Sequence, residues 1–165
     1  MGFRLTVSGG GKDIKFDETA LIDLRFLSES PHGQQSNPHR EGLAVRSSQF
    51  LTVGSGNARA TDFGMGVEIK GRINFSLGAE VEDATVAMAN WSLMPSDQAA
   101  AYRKAVIQCV AGGQVVREYT LPNAFIVEYS EELDDENGVG EFVVQLRQKK
   151  DCNAKVELKG GFALS

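Results

Sequence analysis

Two cysteines, two histidines and a single tryptophan are all that 165 residues provide for thiol, imidazole or indole chemistry. So few cysteines make no disulfide framework. Cys109 lies in an apolar run and Cys152 in a polar one, with no spacing that pairs them. His32 and His39 each follow a proline in a polar stretch with no cysteine near, so no zinc-ligand spacing exists. No run approaches the ~20 apolar residues of a membrane span, so no membrane partner is expected. Met1-Gly2-Phe3-Arg4 opens no apolar leader. A cytoplasmic start is therefore the default reading, with later release or export left open. Basic charge is sparse as well: the net charge is −5 and the pI about 5.1. Phosphate backbones need clustered Lys and Arg, which makes nucleic acid a poor partner. The densest basic cluster, Arg147-Gln148-Lys149-Lys150, is followed by Asp151 and reads as a solvated strand end.

Catalytic and ligand signatures fail in turn, and no cofactor or metal site is expected. Gly11-Lys12 suggests a phosphate loop, but Thr6 stands where the motif needs a glycine and Asp13 where it needs Ser or Thr. Asp134 to Gly138 suggests a calcium loop. With Gly138 at the sixth position, Leu133 and Val144 fall on ligand positions and offer no side-chain oxygen. No Gly-x-Ser-x-Gly elbow singles out a serine. Cys109 is better suited to packing than to attack. Trp91 shares a helical stripe with Met88, which favours a core position over a binding anchor.

What the chain has is strand pattern and glycine, 18 of its residues. Phe3, Leu5 and Val7 alternate with Arg4 and Thr6, the period of a half-buried strand. Ser8 to Asp13 reads as a turn into a second strand, Ile14 to Phe16. Ile22, Leu24 and Phe26 form the apolar side of a third. Val67, Ile69, Ile73, Phe75 and Leu77 share one face of a long strand, with Gly71 in the same row marking a bulge or bend. One helix is expected from Glu82 to Leu93, on an Ala84, Met88, Trp91 stripe, with Asp83 at its start and Pro95 past its end. Ser96 to Tyr102 adds a further turn, capped by Ser96. Lys104 to Val110 reads as a central strand, and Ala111-Gly112-Gly113-Gln114 turns it into Val115 to Thr120. Leu121-Pro122-Asn123 is expected to break that strand before Ala124 to Ser130 resumes. A turn at Asp134 to Gly138 leads into the strand of Phe142, Val144 and Leu146, and Lys155 to Leu158 forms a last short one. Residues 28–62 are a long polar loop, the part least like the interior of a compact domain.

Several short words occur in a telling order. Asn57-Ala58-Arg59-Ala60-Thr61-Asp62 precedes Ile69-Lys70-Gly71-Arg72-Ile73. Then come Trp91-Ser92-Leu93, Tyr102-Arg103, Val115-Val116-Arg117-Glu118-Tyr119 and Leu121-Pro122-Asn123-Ala124-Phe125. Glu128-Tyr129 and Arg147-Gln148-Lys149-Lys150-Asp151 complete the set. Together these words, covering most of Asn57 to Asp151 and the opening strand, resemble a Gram-positive group of proteins similar to phage tail-tube proteins and the haemolysin-coregulated tube protein of type VI secretion. That group sometimes carries the label membrane-associated protease, though no residues here support either word. The resemblance implies a single mainly β domain over residues 1–165: a tail-tube-like β-barrel or sandwich with one packed α-helix and a long extended loop. It also implies a structural, non-enzymatic tube subunit of a contractile injection particle, forming stacked hexameric rings with itself and meeting sheath and baseplate proteins. In such proteins an extended loop reaches a neighbouring ring. Pro31, His32, Gln34, Asn37, His39, Arg40, Phe50 and Arg59 are the corresponding subunit-interface candidates. Two rival classes remain open: a small hydrolase dependent on His32 and His39, and a monomeric ligand-binding or adaptor β-barrel.

Overall fold

The alternation of Phe3, Leu5 and Val7 becomes the central row of the first strand. The computed structural model describes residues 1–29, 64–73 and 84–161. Strand β1 (Gly2–Ser8) turns into β2 (Ile14–Phe16), and β3 (Leu21–Glu29) follows. Next come β4 (Gly64–Ile73), helix α1 (Ala84–Ser92) and a 3-10 turn (Ala99–Ala101). Strands β5 (Arg103–Ala111), β6 (Gln114–Asp134) and β7 (Val139–Gln148) are successive hairpin partners. A second 3-10 turn (Lys150–Lys155) leads to β8 (Glu157–Gly160), which pairs with β6. The strand order is β2-β1-β5-β6-β7-β4-β3, antiparallel throughout.

The sheet doubles over into a sandwich. Rings from its two halves meet across the interior: Phe16 with Phe142 at 5.1 Å between centroids, and Phe26 with Tyr119 at 5.0 Å. Leu5, Ile69, Ile107, Leu121, Phe142 and Val144 are wholly buried there. Burying such side chains supplies the main drive to fold, at about 25 cal/mol per Å² of apolar surface. Met88 and Trp91 of α1 enter the same core, with Thr85 beside them, as the helix packs against β2 and β6. The expected stripe thus holds with one shift, since Thr85 is buried and Ala84 only half so.

The long strand β6 departs from expectation. Leu121-Pro122-Asn123 does not break it; it runs unbroken for 21 residues. Proline lacks an N–H and is tolerated in a sheet at a bulge. Here Arg103 pairs with Ala124 and Ala105 with Leu121, so β6 carries one extra residue at this point. The Gln148 side chain accepts the Asn123 N–H at 3.2 Å, and the Lys149 N–H donates to the Asn123 carbonyl at 3.0 Å. Gln148 is therefore a buried member of the bulge rather than part of a solvated strand end. Two more irregularities, opposite Cys109/Val110 and between Ile126 and Glu128, add further twist.

A bulge also corrects the third strand. The register slips between Leu21 and Asp23, so Leu21 enters the core and Ile22 is exposed. Gly71 lies opposite that slip, and its role is close approach. A Cβ there would stand 2.5 Å from carbons of the Phe142 ring and 2.9 Å from the Ala20 carbonyl oxygen. Elsewhere, Gly112 and Gly113 adopt φ of 58° and 77°, the paired left-handed conformation of a two-residue hairpin turn. The turn at Ala99–Ala101 follows Gln98 with no side-chain cap, so Ser96 does not cap it; its carbonyl instead accepts the Tyr102 hydroxyl at 3.0 Å. Asp83, Phe75 and Leu77 lie outside the described residues.

Two outcomes follow. Gly71→Ala forces a methyl against the Phe142 ring and should cost about 1–3 kcal/mol, read as a lowered melting temperature. The second concerns Asp134, which closes the β6–β7 turn by accepting the backbone N–H groups of Glu136 (2.9 Å) and Asn137 (3.2 Å) and the Asn137 side chain (2.6 Å). Those bonds, the side-chain one first, hold its pKa below the ordinary 3.8. A depressed carboxylate stabilises the fold above its unfolded pKa, and that contribution disappears as pH falls through the folded value. NMR titration should place the Asp134 midpoint below 3.8, and Asn137→Ala should raise it.

Candidate functional site

The residues with chemical potential are mostly committed to structure. The Trp91 indole N–H donates to the Ala101 carbonyl at 2.8 Å, and the Arg103 guanidinium lies 5.0 Å over the ring. Arg103 Nε donates to the Ala100 carbonyl at 3.0 Å. Gly10 leaves room for the guanidinium, since a Cβ there would fall 2.2 Å from Arg103 Cζ. One arginine therefore ties the β1–β2 turn, the 3-10 turn and α1 together. Burial lowers its pKa, and the cation–π contact offsets part of that desolvation. Burial pushes the Cys109 thiol up, away from the reactive thiolate, while nearby Arg117 acts the other way. Among the described residues no group of three or more His, Cys, Asp or Glu is placed to hold a metal ion. None of their helices is long and apolar enough to cross a membrane.

With the interior assigned to packing, the surfaces are the candidates. Residues that alternate with the core positions of β6, β7, β4 and β3 form a broad polar face. Its rows follow the register: Ser130, Val143, Lys70 and Asp23 in one, and Glu128, Gln145, Glu68 and Arg25 in the next. The Gln145 side-chain amide donates to Glu68 at 2.8 Å, and the Lys70 ammonium lies 2.5 Å from Glu141. Glu141 raises the Lys70 pKa, first through that hydrogen bond and then through its charge. The face mixes both signs, which suits a wetted surface better than an anion or cation trap. On the opposite half, Arg4, Gln108, Glu118 and Lys159 make a similar polar row, with Gln108 donating to Glu118 at 2.7 Å.

Edges and ends complete the surface. Strands β2 and β3 terminate the main strand order, and β8 lies off it. Short β2 and β8, each with charged residues, are poor templates for promiscuous pairing. The β6–β7 hairpin carries exposed Glu131, Glu132, Asp134, Asp135 and Glu136 at its tip, together with exposed Leu133. The sequence-based interface candidates Pro31, His32, Gln34, Asn37, His39, Arg40, Phe50 and Arg59 all lie outside the described residues. Sequence reasoning missed the structural role of Arg103. In the sequence Arg103 stands only beside Tyr102, and the fold alone brings Gly10 and Trp91 to it.

No protein-family model and no curated protein sequence matches the chain. Its architecture does match solved structures along nearly its whole length. Hcp1 from Flavobacterium johnsoniae covers 98% of this chain and 97% of its own, with a TM-score of 0.51 and 12% identity. A chain from the six-fold symmetrised cryo-EM structure of the anti-feeding prophage baseplate covers 96% and 93%, with a TM-score of 0.50 and 18% identity. Nothing in these likenesses supports the narrower Gram-positive, protease-labelled grouping. What the chain shares with these structures is the fold, a mainly β sandwich with one packed helix.

Proposed function

We propose that this chain is a structural tube subunit of a phage-tail-like contractile injection particle, and not an enzyme. Copies associate into rings, hexameric in the simplest form, and the rings stack into a hollow tube. The observation that carries this reading is the likeness in fold to Hcp1 over 98% of the chain. Two polar outer sheet faces and a core filled by side chains fit a subunit that works through its surfaces. Ser28 and Glu29 belong to β3, so the segment expected at 28–62 starts later than its pattern implied, and its eight candidate residues are assigned to contacts between copies. Sheath and baseplate components are the outer partners in this reading, and the anti-feeding prophage chain of like fold comes from a baseplate structure. Assembly begins in the cytoplasm, with release as part of the particle.

Light scattering on concentrated protein tests the reading. The expected mass is near six times the 17.8 kDa chain, with rings or tubes under negative stain. Monomers alone, across pH and salt, would overturn it.

A further inference from the structure

Strand β7 separates two unlike ends. At one end, the last β4–β7 pair among the described residues is Ile73 with Gly140. From Leu133 and Val139 outward, among the described residues, the β6–β7 hairpin pairs only with itself. Every residue from Glu131 to Val139 is exposed there, and five of them are acids. Leu133 adds an apolar side chain at 61% exposure. At the other end β7 closes on Gln148, and exposed Lys149, Lys150 and Lys155 follow in and around the 3-10 turn. The register brings further cations to that end, because Lys104 pairs with Ser8 and Lys12 sits in the turn just beyond. Exposed Asp13, Asp151 and Glu157 are neighbours of these lysines in the sequence. Lys149 lies 3.5 Å from Asp151 and 5.2 Å over the Tyr102 ring, which keeps its ammonium at the surface.

Ten strand residues hold the two ends about 33 Å apart. The acidic tip cannot fold back onto the lysines of its own chain. Two tips repel each other, and so do two lysine ends, so a symmetric tip-to-tip dimer is disfavoured. A second copy displaced along β7 instead brings opposite charges together. Building on the assembly reading above, we propose that the acidic tip of the β6–β7 hairpin docks on the Lys104, Lys149, Lys150 and Lys155 end of the next copy. This is a heterologous, head-to-tail contact, the kind that propagates layer upon layer when it does not close. Both partner surfaces are exposed, so the contact weakens as salt screens it.

Charge exchange tests the contact. One variant carries Glu132→Lys, Asp135→Lys and Glu136→Lys, leaving Asp134 to hold the turn. The other carries Lys149→Glu, Lys150→Glu and Lys155→Glu. Circular dichroism and tryptophan fluorescence verify that each is folded. Sedimentation and negative stain at low salt should show that each variant alone needs more than about tenfold higher concentration to stack than the wild type. An equimolar mixture should stack again, because each copy then finds an opposite charge on its neighbour. Folded variants that stack singly as well as the wild type, or a mixture that gains nothing, would overturn this contact while leaving ring formation intact. A wild type that stays monomeric overturns the assembly reading and the contact together.

Discussion

Strand β6 can belong to both halves of the sandwich only by turning a corner near its middle, and a turned strand leaves backbone polar groups without their ladder partners. The molecule meets that constraint at one place. Pro122 has no N–H to lose. The Asn123 N–H goes to the Gln148 side chain, and its carbonyl goes to the Lys149 N–H. Leu121 and Ala124, on either side, are wholly buried. From this corner β5 and β8 accompany the first half of β6, while β7 accompanies the second. The doubling of the sheet, the facing of its two aromatic pairs and the separation of its two polar faces all depend on it.

Beyond Ala124, β6 no longer has β5 beside it. Helix α1 packs against β6 and β2, and Met88 and Trp91 fill the interior there. Arg103, the first residue of β5, reaches over the Trp91 ring. The place where sheet pairing changes hands is thus also the place where helix, 3-10 turn and β1–β2 turn are joined. Packing and polar satisfaction act together, since the Trp91 N–H and Arg103 Nε both find carbonyls of the Ala100–Ala101 segment.

Much of this was legible in the sequence because period-two alternation reports burial directly. Val67, Ile69 and Ile73 proved to share the core face as their spacing required, and Phe142, Val144 and Leu146 did the same. The Met88 and Trp91 stripe also told the truth about α1. Errors came where one extra residue resets the alternation. Ile22 looked like core, but the slip at Leu21/Asp23 handed that place to Leu21. Pro122 read as a stop because local propensity cannot foresee that a distant glutamine will satisfy a bulge. Gly71 read as a bulge or bend, and a slip does lie opposite it at Leu21/Asp23, but the ring that demands its bareness belongs to Phe142, two strands' worth of chain away. The candidate interface was the least legible part. Exposed polar residues carry no periodicity, and the eight candidates fall outside the described residues.

The continuity of β6 has a mechanical side. Its hydrogen bonds to β5 and to β7 run across the strand, while its peptide bonds run along it. A load applied along β6 at the hairpin tip therefore passes through covalent bonds to the corner and strains both ladders in shear. Many hydrogen bonds then share the force at once, instead of parting one after another as in a strand peeled from an edge. The halves of the sandwich are joined by a single uncut beam.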